Sequence, residues 1–172
     1  MANTYDLLAS FTTTSTVASV TVSNIPQTYT HLKIWATYRG DIADEQSVIY
    51  VSPNANKTTT NYDGRWLRMI GSGLDAGYGT GNRPGITGYT VSNNNTANLY
   101  AAESTIIPLY SNSSNNKLAL SLFTQVGLGK PNAYSVLVST SIKYNTAHTS
   151  IFWESVPLFA GSTFYIYGLK SS

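Results

Sequence analysis

Apolar residues alternate with polar residues along most of this chain, and a period of two is the pattern of β-strands that bury one face. In the segment 31–39, Leu32 and Ile34 fall on one face of the predicted strand, whereas Lys33 and Trp35 fall on the other. No window combines the 3.6-residue period of an amphipathic helix with residues that cap a helix. The chain is therefore expected to fold from β-strands alone.

The same period identifies the other strands. The segment 117–124 repeats the half-buried pattern, with Leu118, Leu120 and Leu122 on one side. The remaining segments are rich in Val, Ile, Thr, Tyr and Phe, which fit a pleated sheet. Together the predicted strands are 5–11, 17–23, 31–39, 46–51, 64–70, 103–110, 117–124, 134–143, 149–154 and 163–169.

Clusters of Asn, Ser, Gly and Pro separate most of these strands, as at 23–26, 52–56 and 111–116. They favour turns because Pro presets φ, and because Asn bonds its own backbone and tolerates left-handed conformations. About ten short strands with regular turns are typical of a sandwich, a jelly roll or a barrel. The prediction is one antiparallel, jelly-roll-like, two-sheet sandwich domain that spans residues 1–172.

The segment 71–98 differs from the rest because it is dense in Gly and Asn. A loop longer than about 15 residues inside a compact domain is usually functional or disordered. We predict a long exposed loop over 71–98, with a short strand at 86–91.

Charge is sparse: charged residues make up 10% of the chain and the net charge is +2. There is no basic stripe of the kind that nucleic acid or an anionic membrane surface requires, and no apolar run approaches the ~20 residues of a membrane span. We therefore predict no nucleic-acid partner and no membrane. Ser, Thr and Asn make up about a third of the chain; they cost less than charges to desolvate, which suits packing against copies of the chain, although any β protein can carry such a surface.

Little in the sequence supports catalysis, a metal or a cofactor. There is no Cys, and the two histidines, His31 and His148, are interpreted as surface or strand-end residues. A glycan hydrolase would need two facing carboxylates, for which Glu103, Glu154 and Asp63 are the candidates. We predict that the protein is not an enzyme and holds no metal and no cofactor.

Aromatic residues make up 12% of the chain. Those in or near the predicted long loop can stack on sugar rings, and the same residue types are favoured in protein interfaces. For a tryptophan, packing in the core is the ordinary alternative. The candidate contacts to a ligand or a partner are Trp66, Tyr78, Tyr89 and Tyr100.

Several stretches resemble a family of small tailed-phage virion proteins. The run 25–32, IPQTYTHL, resembles the family's IP-x-TYT-x-L opening and leads into a strand that ends in Arg39. The run 105–112 resembles its I-x-IPNY strand and turn, and 159–170 resembles its FA-x-GS-x-F-x-LYGIK ending. Asn61-Tyr62, followed by Leu67 and by Gly71-Ser72-Gly73, resembles the family's next segment, and the match departs from the family over 74–98.

The resemblance implies a structural protein of a phage particle, either a head decoration or cement protein or part of a tail fibre or spike. It implies a β-rich and often trimeric protein, and it carries over no catalytic residue. The expectation is a homotrimeric head decoration protein that binds the major capsid protein in the virion and is assembled in the host cytoplasm. The N-terminus also has no secretory signal pattern. The alternative is a carbohydrate-binding receptor-recognition domain of a tail fibre or spike.

Overall fold

The computed structural model describes residues 5–43, 47–70, 73–81, 83–91, 98–125, 134–154 and 156–170. These residues form twelve strands and one short 3-10 turn, Thr59–Asn61, and no helix among them is long and apolar enough to cross a membrane. The strands are β1 Asp6–Thr12, β2 Val20–Val22, β3 His31–Tyr38, β4 Ser47–Pro53, β5 Tyr62–Ile70, β6 Gly73–Thr80, β7 Ile86–Thr90, β8 Ala101–Pro108, β9 Lys117–Gln125, β10 Tyr134–Ile142, β11 Ile151–Glu154 and β12 Thr163–Leu169.

The strands form two sheets of unequal width. The large sheet has eight strands in the order β1-β12-β3-β8-β9-β10-β5-β6, and the small sheet has four in the order β2-β11-β4-β7. All pairings between these strands are antiparallel, and the chain passes repeatedly from one sheet to the other. The predicted fold class, an antiparallel, jelly-roll-like two-sheet sandwich in one domain, is confirmed.

The core lies between the two sheets and is centred on large aromatic side chains. Trp153 on β11 packs against Phe164 on β12, with 4.8 Å between ring centroids, and Tyr38 on β3 stacks on the same phenylalanine at 6.2 Å. All three side chains are fully buried. Removing such large apolar surfaces from water is the main term that stabilises the sandwich.

Strand β9 buries the opposite side from its leucines. Leu118, Leu120 and Leu122 are 60%, 49% and 45% exposed, whereas the alternate residues of the strand face the core. The orientation follows from Phe123, whose ring occupies the space left by the absent side chain of Gly88 on β7. The period of two was therefore a correct sign of a strand, but its apolar side faces outward.

One of the exposed leucines of β9, Leu122, belongs to a row of residues that crosses the whole large sheet. The strand registers place one outward-facing residue of each strand side by side. We call this set the apolar row, and it contains no charged residue. In spatial order from one sheet edge to the other, the apolar row is Ala76, Leu67, Leu137, Leu122, Ser104, Trp35, Tyr165 and Ser10.

The prediction of a long exposed loop over 71–98 is wrong at residues 73–80, which form a strand. Gly73–Thr80 is strand β6, which pairs with β5 along its whole length. Ile86–Thr90 is strand β7, which agrees with the short strand predicted there. Glycine has a low intrinsic preference for strands, but hydrogen bonds to a neighbouring strand override that preference. Residues 71, 72, 82 and 92–97 lie outside the described part of the chain.

Candidate functional site

A cleft opens where the large sheet extends beyond the small one. Strand β7, at the edge of the small sheet, packs across β8, β9, β10 and β5, and β6 lies one strand further out. The space between β7 and the inner face of this overhang is a cleft of about 240 Å³. We call it the overhang cleft. Its main features are set by Gly64, Trp66, Arg68, Arg83, Tyr89 and Thr140.

Trp66 and the glycines around it form one wall of the cleft. A Cβ atom on Gly77 of β6 would overlap the Trp66 ring, so the indole lies directly against the bare backbone of the edge strand. Gly64, two residues earlier on the same face of β5, leaves space instead. The nearest atom to a Cβ placed there would be Thr140 Oγ1 at 3.9 Å. This wall is therefore aromatic at Trp66 and has free space beside it at Gly64.

Two arginines give the overhang cleft a positive character. Arg68 donates one hydrogen bond to Asp75 Oδ2 at 2.5 Å and another to the Tyr89 hydroxyl at 3.4 Å. Its guanidinium carbon also lies 6.0 Å from the centroid of the Tyr89 ring. Arg83 lines the same cleft and makes no hydrogen bond or ion pair within the described part of the chain. No Asp or Glu among the described residues lines the cleft.

The cleft also contains polar atoms that are buried without a partner. Thr140 is 1% exposed, and its hydroxyl has no hydrogen-bond partner among the described residues. The Nε of Arg68 is in the same condition. A buried polar group that makes no hydrogen bond costs about 1–3 kcal/mol. The unused donors therefore mark positions where a bound polar group would be stabilised.

The structure separates the four aromatic residues that the sequence singled out. Trp66 and Tyr89 both line the overhang cleft. Tyr78 is on the opposite face of β6 from that cleft and is 71% exposed. Tyr100 lies elsewhere: its hydroxyl donates to the carbonyl of Ala160 at 2.9 Å, and it packs against Gly161, whose φ of +87° favours glycine. Tyr100 thereby stabilises the turn that leads into β12.

Sequence reasoning missed the two arginines of the cleft. Arg68 follows Trp66 by two residues, so the period of β5 places both side chains on the same face. That signal was present in the sequence. Arg83 lies in the connection between β6 and β7, and it has no sequence signal because its position depends on the pairing of β6 with β5.

The three acids considered for a hydrolase point to three different places. Glu103 is fully buried between the sheets, where its carboxylate accepts hydrogen bonds from Thr105 Oγ1 at 2.8 Å and from Trp153 Nε1 at 3.1 Å. Glu154 forms an ion pair with Lys57, and Asp63 forms one with Lys143. Burial raises the pKa of Glu103 to about 7, against the lowering effect of its hydrogen bonds.

The two histidines also have different environments. His31, at the start of β3, accepts a hydrogen bond at Nδ1 from the backbone N–H of Leu109 at 3.2 Å. His148 is fully buried, and neither ring nitrogen has a hydrogen-bond partner among the described residues. Burial lowers the pKa of His148 to about 3, so the ring is neutral at physiological pH. The interpretation of His148 as a surface residue is therefore wrong, because its side chain is fully buried and its ring centroid lies 5.3 Å from that of Tyr144. Within the described ranges, no group of three or more His, Cys, Asp or Glu could hold a metal ion.

No known family model and no curated protein matches the chain. Among solved structures, galectin LEC-6 of Caenorhabditis elegans is 7% identical with a TM-score of 0.32, and the match covers 94% of this chain and 96% of the galectin. The CBM40 of Ruminococcus gnavus IT-sialidase, bound to alpha2,3 sialyllactose, is 13% identical with a TM-score of 0.33, covering 97% and 95%. The CBM22-1 xylan-binding domain of Paenibacillus barcinonensis Xyn10C is 10% identical with a TM-score of 0.29, covering 100% of both chains. Similarities this weak carry no argument about what this chain does.

Proposed function

We propose that this chain is a non-enzymatic structural subunit of a tailed-phage virion, and that it assembles through the outer face of its large sheet. The apolar row is the observation that supports this proposal most strongly. It extends across eight paired strands and has no charged member, while Lys33 Nζ on the same face donates a hydrogen bond to Ser104 Oγ at 2.6 Å. A protein surface that covers the row therefore desolvates few charges.

Large apolar side chains of the apolar row are exposed to water, and a protein partner that covers them would be stabilised by their burial. Trp35 is 57% exposed and Leu122 is 45% exposed, although both lie near the middle of the sheet rather than at its edges. Each Å² of such surface that a partner covers contributes roughly 25 cal/mol. Contiguous exposed apolar surface on a soluble protein is a common mark of an interaction site.

The sequence resemblance supplies the finer part of the proposal. It implies a phage structural protein, often trimeric, that is either a head decoration or cement protein or part of a tail fibre or spike, and it implies no catalytic residue. Of these we propose the homotrimeric head decoration protein that binds the major capsid protein. A sandwich with an exposed apolar row across one sheet suits both contacts, because copies of the chain and the capsid surface can each cover part of that row. The proposed location is accordingly the mature virion, after assembly in the host cytoplasm.

The test is the solution mass of the purified chain, with and without expanded phage capsid shells that lack their decoration protein. We expect a particle of three times 18.6 kDa at micromolar concentration, and saturable binding to symmetry-related sites on the shells. A trimer that ignores the shells would place the protein in the tail or spike instead. A chain that stays monomeric at micromolar concentration and binds no shell would contradict the proposal.

A second candidate function, carbohydrate recognition on a tail fibre or spike, is supported by the overhang cleft. Trp66 lies against Gly77 and lines the cleft together with Tyr89, and an exposed aromatic ring is a surface on which the apolar face of a sugar ring can stack. Trp66→Ala is expected to remove binding on a glycan array, whereas Tyr78→Ala, on the opposite face of β6, is expected to preserve it. Binding that survives Trp66→Ala would remove this candidate.

A further inference from the structure

We infer that the overhang cleft binds an acidic saccharide, in which a sugar ring stacks on Trp66 and its carboxylate binds Arg83. The inference rests on the second candidate function, carbohydrate recognition, and specifies its ligand class.

The charges of the cleft favour an anionic ligand. Two of the ten Lys and Arg residues of the chain line this one cleft, and no carboxylate of the described residues lines it. Asp75 neutralises part of the charge on Arg68, which leaves Arg83 without a counter-charge. A guanidinium presents its donors in a planar fork that matches the two oxygens of a carboxylate. Arg83 is therefore the group that we assign to the carboxylate.

The shape of the cleft favours a sugar ring over a bare inorganic anion. A cleft of about 240 Å³ is much larger than a phosphate ion needs, and slightly smaller than the roughly 300 Å³ at which sites for drug-sized ligands begin. Trp66 offers a flat apolar wall, and Gly64 leaves room beside it. These dimensions suit one or two sugar rings.

The unused donors of the cleft favour a ligand that is rich in hydroxyl groups. The Thr140 hydroxyl is buried and unpaired within the described part of the chain, and it lies beside the space at Gly64. A sugar hydroxyl placed there would accept or donate the missing hydrogen bond and remove the cost of the unpaired group. Apolar ligands would leave that cost in place.

The experiment compares two ligand pairs that differ only at C6. Methyl β-D-glucuronide is titrated against methyl β-D-glucoside, and methyl α-D-galacturonide against methyl α-D-galactoside, with tryptophan fluorescence and calorimetry as readouts. At least one uronide is expected to bind about tenfold more tightly than its neutral counterpart. Inorganic phosphate is expected to compete only weakly, because it leaves Trp66 uncovered.

Three variants assign the effect to the cleft. Arg83→Gln is expected to reduce the preference for the uronide to less than about twofold while weak binding of the neutral sugar remains. Gly64→Leu fills the free space beside Trp66 and is expected to abolish binding of both sugars. Arg65→Gln is the matched control, because it removes an arginine from the same strand on the opposite face.

The outcomes separate this inference from the function on which it rests. Equal binding of the acidic and neutral sugars would overturn the acidic ligand class but keep carbohydrate recognition. Binding of phosphate alone would overturn both, as would the absence of binding by any sugar. An unchanged uronide preference in Arg83→Gln would overturn the assignment of Arg83. The virion proposal is unaffected by each of these results, because it is measured by mass and shell binding.

Discussion

The inner face of the large sheet has two parts, one covered by the small sheet and one, the overhang, that extends beyond it. In both parts inward-facing and outward-facing residues alternate along each strand, but the inward-facing residues differ. Under the small sheet, β3 and β12 present Ile34 and Phe164, which are fully buried beneath Trp153. In the overhang, β5 presents Trp66 and Arg68, and β6 presents Gly77, against which the Trp66 ring packs. The covered part is filled by apolar side chains, whereas the overhang keeps a cleft.

The covered part contains a hydrogen-bonded polar network, and it also contains buried atoms without a partner among the described residues, such as Ser47 Oγ on β4. In the covered part, Glu103, Thr105 and Ser121 are linked by hydrogen bonds, with Thr105 Oγ1 at 2.8 Å from the carboxylate and 2.7 Å from Ser121 Oγ. In the overhang cleft, the Thr140 hydroxyl and the Nε of Arg68 have no partner among the described residues. A satisfied network stabilises the fold, whereas unused donors are available to a ligand.

The largest expected difference between the two parts comes from removing one aromatic ring in each. Phe164→Ala is expected to lower the free energy of unfolding by about 3–5 kcal/mol, because it leaves a cavity between Trp153 and Tyr38. Trp66→Ala is expected to cost about 1–2 kcal/mol, since the indole is partly exposed. Urea unfolding measures both values. Equal costs would contradict the distinction between a packed part and an open one.

A smaller effect is expected from the pH dependence of the covered network. Burial raises the pKa of Glu103 from 4.5 to about 7, so between these values the folded state holds more protons than the unfolded state. The free energy of unfolding should therefore fall as the pH rises from 4.5 to 7, by about 3 kcal/mol from this group. Glu103→Gln removes that contribution.

The measurement is the difference in unfolding free energy between the parent chain and Glu103→Gln at several pH values. We expect the difference to change by about 3 kcal/mol across that window in favour of the parent at low pH. Asp63→Asn, on the outer face of β5, provides the comparison with a half-buried carboxyl that forms an ion pair with Lys143. A difference that stays constant with pH would show that Glu103 titrates normally and is not desolvated.

The smallest expected change in stability comes from replacing either of two glycines on adjacent strands of the overhang, Gly64 on β5 and Gly77 on β6. Gly64→Ala is expected to stabilise the fold by about 0.5–1 kcal/mol, because its Cβ would make an ordinary van der Waals contact with Thr140 Oγ1 at 3.9 Å and the unfolded chain would lose conformational freedom. Gly77→Ala is expected to destabilise it by about 1–2 kcal/mol, because its Cβ would displace the Trp66 ring. Thermal unfolding with tryptophan fluorescence measures both. The same sign for the two variants would contradict the described position of the indole.

Much of the fold could be predicted from the sequence, since alternation and turn residues mark strands locally. Strand β6 escaped prediction because its inward positions are mostly glycine, and its order comes from pairing with β5. The outward direction of Leu122 also escaped, because a period of two separates two faces without showing which is buried. What decides the direction is the contact of Phe123 with Gly88, which joins different sheets.

The site was less accessible to prediction than the fold. Trp66 and Tyr89 are both aromatic residues in the region that the sequence singled out, and the structure brings them to one cleft. Tyr78 shares that region but faces away, because alternation along β6 depends on its unpredicted pairing. Arg83 belongs to a connection whose position only the tertiary structure defines.

The central claim, assembly through the outer face of the large sheet, is tested most directly by sedimentation equilibrium of three chains at micromolar concentration. Leu122→Glu introduces a charge in the middle of the apolar row, and Thr21→Glu introduces the same charge on the exposed face of the small sheet. We expect the parent chain and Thr21→Glu to sediment as trimers, and Leu122→Glu to sediment as a folded monomer with unchanged circular dichroism. A parent chain that is monomeric, or a Leu122→Glu variant that remains trimeric, would contradict the claim.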